Sequence, residues 1–256
     1  MSHAKPMARR RFFVDALHDG LAELHGEEAR HLTRVLRVEP GQQYEISDNH
    51  AAYLAEIAEA RGERVVFRIV EPIPAPDPVV SITLLASIVK FDRFEWIVEK
   101  STELGVERIV PVAATRSEKG LFEASGKRTE RWLRIARESS QQSRRVRMPG
   151  ILPAVRFERA VHLEYDIGET AEYRCFLGEG FGGEAQAPPL LATLPAQRAA
   201  TDHIAVLLGP EGGWTDAERQ LAMAAGWRAA SLGPNILRTE TAAVAALAIL
   251  ANAWMV

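Results

Sequence analysis

The sequence predicts an α/β protein preceded by a smaller, strand-rich unit. Residues 79–256 alternate short, nearly continuous apolar runs with amphipathic segments, the pattern of a mostly parallel sheet covered by helices. Residues 11–70 hold several short runs of strand-forming residues and only one helical insert. Between them, Pro72, Pro74, Pro76 and Pro78 stand at alternate positions, which no helix accommodates and which favour an extended connector. The expected division is therefore residues 1–73 and residues 79–256.

In the first part, residues 11–14 read as a strand, and 27–36 as a helix with Ala29, Leu32, Val35 and Leu36 at helical spacing, ended by Pro40-Gly41. Residues 44–49 run from strand into turn, and 52–57 and 65–70 are two further strands. Short strands round a small core suggest a compact barrel, a binding module without chemistry of its own.

In the second part, residues 79–86 form an apolar strand buried on both faces, and 93–104 a helix closed by Gly105. Strand 108–112 carries Pro111, which hints at a sheet edge or a strand end. A helix over 131–142 follows, then strands at 173–177 and 204–208. Thr215-Asp216-Ala217-Glu218 is a capping box opening a helix that closes at Gly226. Residues 228–232 are the last strand and 239–254 an alanine-rich helix.

Composition removes several function classes. The 256 residues carry a formal net charge of -3, so a polyanion must be met by a local basic patch rather than by the whole surface. One cysteine, Cys175, excludes an intrachain disulfide and a cysteine zinc cluster, and in an apolar strand it reads as a buried thiol. None of the seven histidines is paired four residues apart, so no metal is expected. No run approaches the roughly 20 apolar residues that span a bilayer, and a cytoplasmic protein without a membrane partner is expected. Gly178-Glu179-Gly180-Phe181-Gly182-Gly183 matches a dinucleotide fingerprint, but Pro188-Pro189 follows where the helix should run, so the match fails its context.

The informative pair is two glycine-bearing loops leaving successive C-terminal strands. One is Gly209-Pro210-Glu211-Gly212-Gly213-Trp214; the other is Gly233-Pro234-Asn235-Ile236-Leu237-Arg238-Thr239-Glu240. Each alone could be an ordinary turn. Together, at the carboxyl edge of a parallel sheet, they point to one shared pocket. No Gly-Lys-Ser/Thr follows either glycine run, which argues against a nucleoside triphosphate.

Seven segments in this order carry a resemblance. They are Arg10-Arg11-Phe12-Phe13, His31-Leu32-Thr33-Arg34-Val35-Leu36-Arg37, Glu99-Lys100-Ser101-Thr102-Glu103-Leu104-Gly105-Val106 and Arg116-Ser117-Glu118. Gln142-Ser143 with Arg145 and Pro149, then Gly209-Pro210-Glu211-Gly212-Gly213 and Leu232-Gly233-Pro234 through Ala242, complete the set. The sequence resembles the RsmE-like 16S ribosomal RNA uridine-N3 methyltransferases of the SPOUT superfamily. The resemblance implies a PUA-like RNA-binding β-barrel over 1–73. It also implies a SPOUT methyltransferase domain over 79–256 whose last segment threads a deep trefoil knot.

It further implies S-adenosylmethionine as cofactor, held by Leu208, Gly209, Glu211 and Gly213 on one side and by Leu232, Ile236 and Leu237 on the other. The implied product is N3-methyluridine at position 1498 of 16S rRNA, within the 30S subunit or a late precursor, made by a homodimer. Arg238 and Arg10 are the candidate cations for a uracil anion, and Glu211 and Glu240 the candidate proton acceptors. Arg9, Arg10, Arg11, Arg34 and Arg37, with Arg144, Arg145 and Arg147, form the expected phosphate-contacting patches. Two departures bear on the second patch: Arg144 stands in a glycine slot and Gln141 replaces Glu.

Overall fold

The computed structural model describes residues 11–74, 80–163, 172–178 and 187–255, which separate into two compact units. Arg9, Arg10 and the fingerprint glycines beyond Gly178 lie outside the described residues, as does most of the proline run.

The first unit is a six-stranded sheet of β1 (Arg11–Phe13), β2 (Ala16–His18), β3 (Leu21–His25), β4 (Gln43–Ser47), β5 (Ala52–Arg61) and β6 (Arg64–Ile73). Its strand order is β1-β4-β5-β6-β3-β2, antiparallel except for β1 beside β4. Two register shifts in the β5–β6 pair bend these long strands, as bulges do. All of the core-forming strands share one apolar core, centred on Phe12, Leu24, Ile46, Ile57 and Phe67. The β2–β3 hairpin was absent from the sequence expectation. Its turn is Asp19-Gly20, both at positive φ (49° and 76°), the two-residue geometry that Asp-Gly favours.

The expected helix over 27–36 divides. A short helix α1 (Gly26–Arg30) passes into a π-helical turn over His31–Leu36, which ends at Arg37 in a left-handed conformation with φ 50°. The wider turn rotates the apolar stripe off register, so Leu32 is buried while Val35 and Leu36 face solvent at 65% and 45% exposure.

A second correction concerns Arg137–Met148, which group with this unit rather than with the residues around them in sequence. Arg137 donates to the Phe13 carbonyl at 2.6 Å and pairs with Glu28, which also accepts from Gln141. The Ser47 hydroxyl donates to the Val146 carbonyl at 2.6 Å, and the Met148 amide to Asn49 Oδ1 at 2.8 Å. Gln141 is thus a donor to a carboxylate, a bond that a glutamate in its place could not make while ionised.

The second unit is a parallel sheet of β7 (Ser81–Ser87), β8 (Arg108–Ala113), β9 (Gly150–Ile151), β10 (Val155–Arg156), β11 (Glu172–Leu177), β12 (His203–Leu208) and β13 (Arg228–Ala230). Its order is β10-β8-β7-β12-β11-β13, with β9 also beside β8. Pro111 is therefore not on an edge strand. It is registered with Ala86 of β7 on one side, and on the other it sits between the positions that β9 and β10 pair, so neither of those strands needs a donor from it.

Helices α2 (Phe91–Glu103), α3 (Leu121–Ser125), α4 (Thr129–Gln142), α5 (Phe157–Ala160), α6 (Leu190–Thr193), α7 (Asp216–Ala224) and α8 (Thr239–Ala253) complete the unit, with the end of α4 as noted. Alternate strand residues serve two cores. Leu84, Val206 and Leu208 meet α2, α8 and Trp132 on one face; Leu85, Val110 and Leu207 meet Phe157, Trp214 and Ala222 on the other. Gly105 (φ 90°) and Gly226 (φ 84°) follow the C-caps of α2 and α7, and Thr215 with Glu218 forms the expected capping box. No described helix is long and apolar enough to cross a membrane.

At the amino edge of this sheet, His203 is buried and its Nε2 lies 2.9 Å from the Thr83 hydroxyl. Burial holds its imidazole below the usual range, against an opposing pull from Glu172 and a smaller one from Glu107; Arg108 and Arg174 add to the lowering. A depressed folded value contributes stability above the unfolded pKa, near 6.5, and loses it as pH falls through that value towards the folded one. Thermal melts are therefore expected to fall between pH 7 and pH 5, and His203→Gln to flatten that fall; an equal slope in both proteins would contradict the assignment.

Candidate functional site

β12 and β13 end at the carboxyl edge of the sheet, and the two glycine-bearing loops follow them. The first turns back on itself through the Gly213 amide, which donates to the Pro210 carbonyl at 2.9 Å, with Gly213 at φ 66°. The second opens with Ser231, whose hydroxyl accepts from the Gly233 amide at 3.1 Å, and Gly233 adopts φ 131°, closed to other residues. The loops are joined directly: Thr239 Oγ1 at the start of α8 donates to the Gly209 carbonyl at 3.2 Å. Between them is a cavity of about 340 Å³.

Leu208, Gly209, Glu211, Gly213, Leu232, Ile236 and Leu237 all border it, so the seven residues expected to share a pocket do share one. Its inner wall is apolar, with Leu177, Leu208, Leu232, Leu237 and Ala242; charge is carried by Glu211, Arg116 and Arg219. Ile236 is 80% exposed beside the opening, an apolar side chain without cover.

Among the bordering residues that were not anticipated, three shape the pocket. Trp214 is buried under Gly209, its Nε1 donating to the Leu177 carbonyl at 2.7 Å and its ring stacked on Phe176 with centroids 4.9 Å apart. A Cβ on Gly209 would stand 2.9 Å from that Nε1, so the glycine is required by the indole beneath it. Arg116, after β8, donates through Nη1 to the Gly212 carbonyl at 2.9 Å. Thr239 is the third. All three were visible in the quoted segments, but their inward direction depends on tertiary packing. Gly178 also borders the cavity, the one described glycine of the failed fingerprint.

The expected charged residues separate. Glu211 is ion-paired with Arg93, which makes it a poor proton acceptor. Arg238 is exposed at the N-cap of α8 and does not border the cavity. Glu240, in the first turn of α8, is half-buried, and its Oε2 has no hydrogen-bond partner among the described residues. Burial pushes the Cys175 thiol up to about 11, which keeps it protonated and unreactive.

Of the basic patches, Arg11 is a correction. It is buried, paired with Glu45 at 3.0 Å, and donates to the Arg144 carbonyl at 2.7 Å, so it is a structural residue of the first unit. Arg144 adopts φ 58°, the left-handed geometry that explains a glycine slot, and its guanidinium also pairs with Glu45. Arg34, Arg37 and Arg147 are exposed, and Arg145 is half-buried with Nε donating to the Arg147 carbonyl at 3.0 Å.

Comparison with known proteins gives these features a family. Residues 75–251 match an RNA methyltransferase domain and residues 24–70 an RNA methyltransferase PUA domain. Ribosomal RNA small subunit methyltransferase E of Aquifex aeolicus is 31% identical over 94% of this chain and 98% of its own. The protein of that name from Synechocystis is 33% identical over 89% of this chain and 70% of its own. The crystal structure of the Neisseria gonorrhoeae ribosomal RNA small subunit methyltransferase E, bound to S-adenosyl methionine, superposes with a TM-score of 0.82 at 31% identity, over 96% of this chain and 98% of that one. An α/β unit with a glycine-walled pocket and a PUA-like first unit therefore place this chain in the ribosomal RNA small subunit methyltransferase E family of RNA methyltransferases.

Proposed function

We propose that this chain methylates N3 of a uridine in 16S ribosomal RNA, at position 1498 in the customary numbering, using S-adenosylmethionine. The observation that carries the reading is the cavity between the two joined loops. Its apolar inner wall suits a flat adenine, its glycines admit close backbone approach, and its charged residues suit an amino-acid tail. When bound, the cofactor supplies an electrophilic methyl on a sulfonium, chemistry that requires no metal. We place Leu208, Gly209, Gly213, Leu232, Ile236 and Leu237 against it, with Glu211 reaching it from the Arg93 pair.

The remaining work falls to the protein. Uracil N3 is protonated at neutral pH, and ionising it costs about 3 kcal/mol. In this reading Glu240, whose Oε2 has no hydrogen-bond partner among the described residues, accepts that proton, while Arg238 and Arg10 supply positive charge near the base. N3 lies on the pairing edge, so the base must be unpaired or turned out of its stack before it can react. Ile236 at the opening would then be covered and water excluded.

An RNA-binding role for the first unit, with Arg137–Met148 grouped in it, a catalytic role for the second, a knotted C-terminal segment, pairing of two copies, and work in the cytoplasm on the 30S subunit or a late precursor complete the reading. Arg34, Arg37, Arg145 and Arg147 are the phosphate contacts, with Arg9 and Arg10 of the N-terminal segment as further ones. Because Arg144 is held by Glu45, replacing Arg144, Arg145 and Arg147 together with Gln should lower the slope of log affinity against log salt by about 1.5, the value for two single-strand contacts rather than three. Donor affinity should be unchanged; equal salt slopes would contradict the patch.

The test of function is nucleoside analysis. 16S rRNA from cells lacking the gene should lack N3-methyluridine and regain it on incubation of 30S subunits with the protein and cofactor. N3-methyluridine persisting without the gene, or ribose methylation appearing instead, would overturn the reading.

A further inference from the structure

The charges around the cavity do not balance. Glu211 is matched by Arg93, and Arg219 by Asp216 at 2.9 Å. Arg116 has no carboxylate within ion-pair distance among the described residues; its guanidinium makes one hydrogen bond there, from Nη1 to the Gly212 carbonyl. That bond orients the planar fork at the cavity's border and leaves its other donors without a protein partner among the described residues. The backbone beneath is equally fixed. The Thr115 amide donates to Glu218 Oε1 at 2.7 Å, and the Ala114 amide to Ser117 Oγ at 3.1 Å. Gly212 in turn fits closely under the arginine stem, since a Cβ there would stand 3.1 Å from Arg116 Cβ.

Arg116 is solvent-exposed at the cavity's border, and an occupant that brings an anion as well as a sulfonium would match its charge there. We propose that Arg116 holds an oxyanion at the charged side of the cavity, an inference that rests on the methyl-donor reading above. Two sources offer that chemistry: the α-carboxylate of the donor, and the uracil oxygen that gains charge as N3 loses its proton. Arg116 lines the cavity itself, whereas Arg238 stands outside its lining.

The experiment uses the full chain, with Arg116→Gln, which keeps an amide donor for Gly212 but removes the charge, and Arg116→Lys, which keeps the charge. Calorimetry measures S-adenosylmethionine and 5′-deoxy-5′-methylthioadenosine, which lacks the amino-acid tail. Single-turnover methyl transfer at saturating donor is followed across pH, and melting curves report the fold. If the donor carboxylate is the partner, R116Q weakens S-adenosylmethionine by about tenfold or more, spares the tail-less molecule, and R116K recovers part of the loss. If the uracil is the partner, both affinities hold, the single-turnover rate falls by about tenfold or more, and its pH profile moves to higher pH. Equal weakening of both small molecules would mean that Arg116 only braces the Gly212 loop and would overturn the proposal. So would unchanged binding and rate. A parent protein that binds neither molecule would overturn the donor reading itself, and this proposal with it.

Discussion

Gly209→Ala is expected to lower methyl-donor affinity by about 10- to 100-fold while the protein remains folded. The added methyl would stand 2.9 Å from Trp214 Nε1 and 3.0 Å from Cε2, inside any real contact. Trp214 has no room to yield. It is 2% exposed, bonded to the Leu177 carbonyl, stacked on Phe176, and flanked by Phe157 with centroids 5.1 Å apart. The loop must move instead, and with it the Gly209 carbonyl that Thr239 grips. Overpacking of this kind costs about 1–3 kcal/mol, and each 1.4 kcal/mol taken from the bound state is about tenfold in affinity. Gly178→Ala is the internal control: it borders the same cavity, but its Cβ would meet Trp214 at an ordinary 3.6 Å. Calorimetry should separate the two variants clearly, and equal affinities would refute the role given to the indole.

The second large effect is on stability. Glu218 is 4% exposed, and its carboxylate accepts from the Thr115 amide at 2.7 Å, the Thr215 amide at 2.8 Å and Thr215 Oγ1 at 2.9 Å. It therefore closes the capping box of α7 and fixes the loop after β8 that carries Arg116. Glu218→Ala strands two backbone amides and opens a small void. At about 1–3 kcal/mol for each stranded group, a loss of about 3 kcal/mol is expected, or a melting temperature lower by about 6–12 °C. Glu218→Gln, which keeps one acceptor oxygen, should lose less. A melting curve for the alanine variant that overlays the parent would contradict this account.

Much of the second unit was legible because its strands are apolar runs of sheet length and its helices carry their own stop signals, Gly105 and Gly226. The shared pocket was legible for a different reason. Residues from Leu208 to Gly213 and from Leu232 to Leu237 must leave the same sheet edge once both strands are parallel, although β11 lies between them and the bond from Thr239 to Gly209 is what joins the loops. What stayed hidden depends on three-dimensional partners. Arg11 reads as one of three adjacent arginines, yet Glu45 across the sheet buries it. Val35 and Leu36 fit a helical stripe until the turn widens. The Asp19-Gly20 hairpin was a local signal that the strand assignments passed over. Trp214 and Arg116 differ again, since no periodicity says that an indole will floor one loop or that an arginine will reach across to another.

The most direct test is a crystal structure of the protein soaked with S-adenosylmethionine. The account predicts the adenine against Leu208, Leu232 and Leu237, with the methyl turned to the open side near Ile236. Density for the donor in any other part of the molecule, with the two loops still joined through Thr239 and nothing between them, would contradict it.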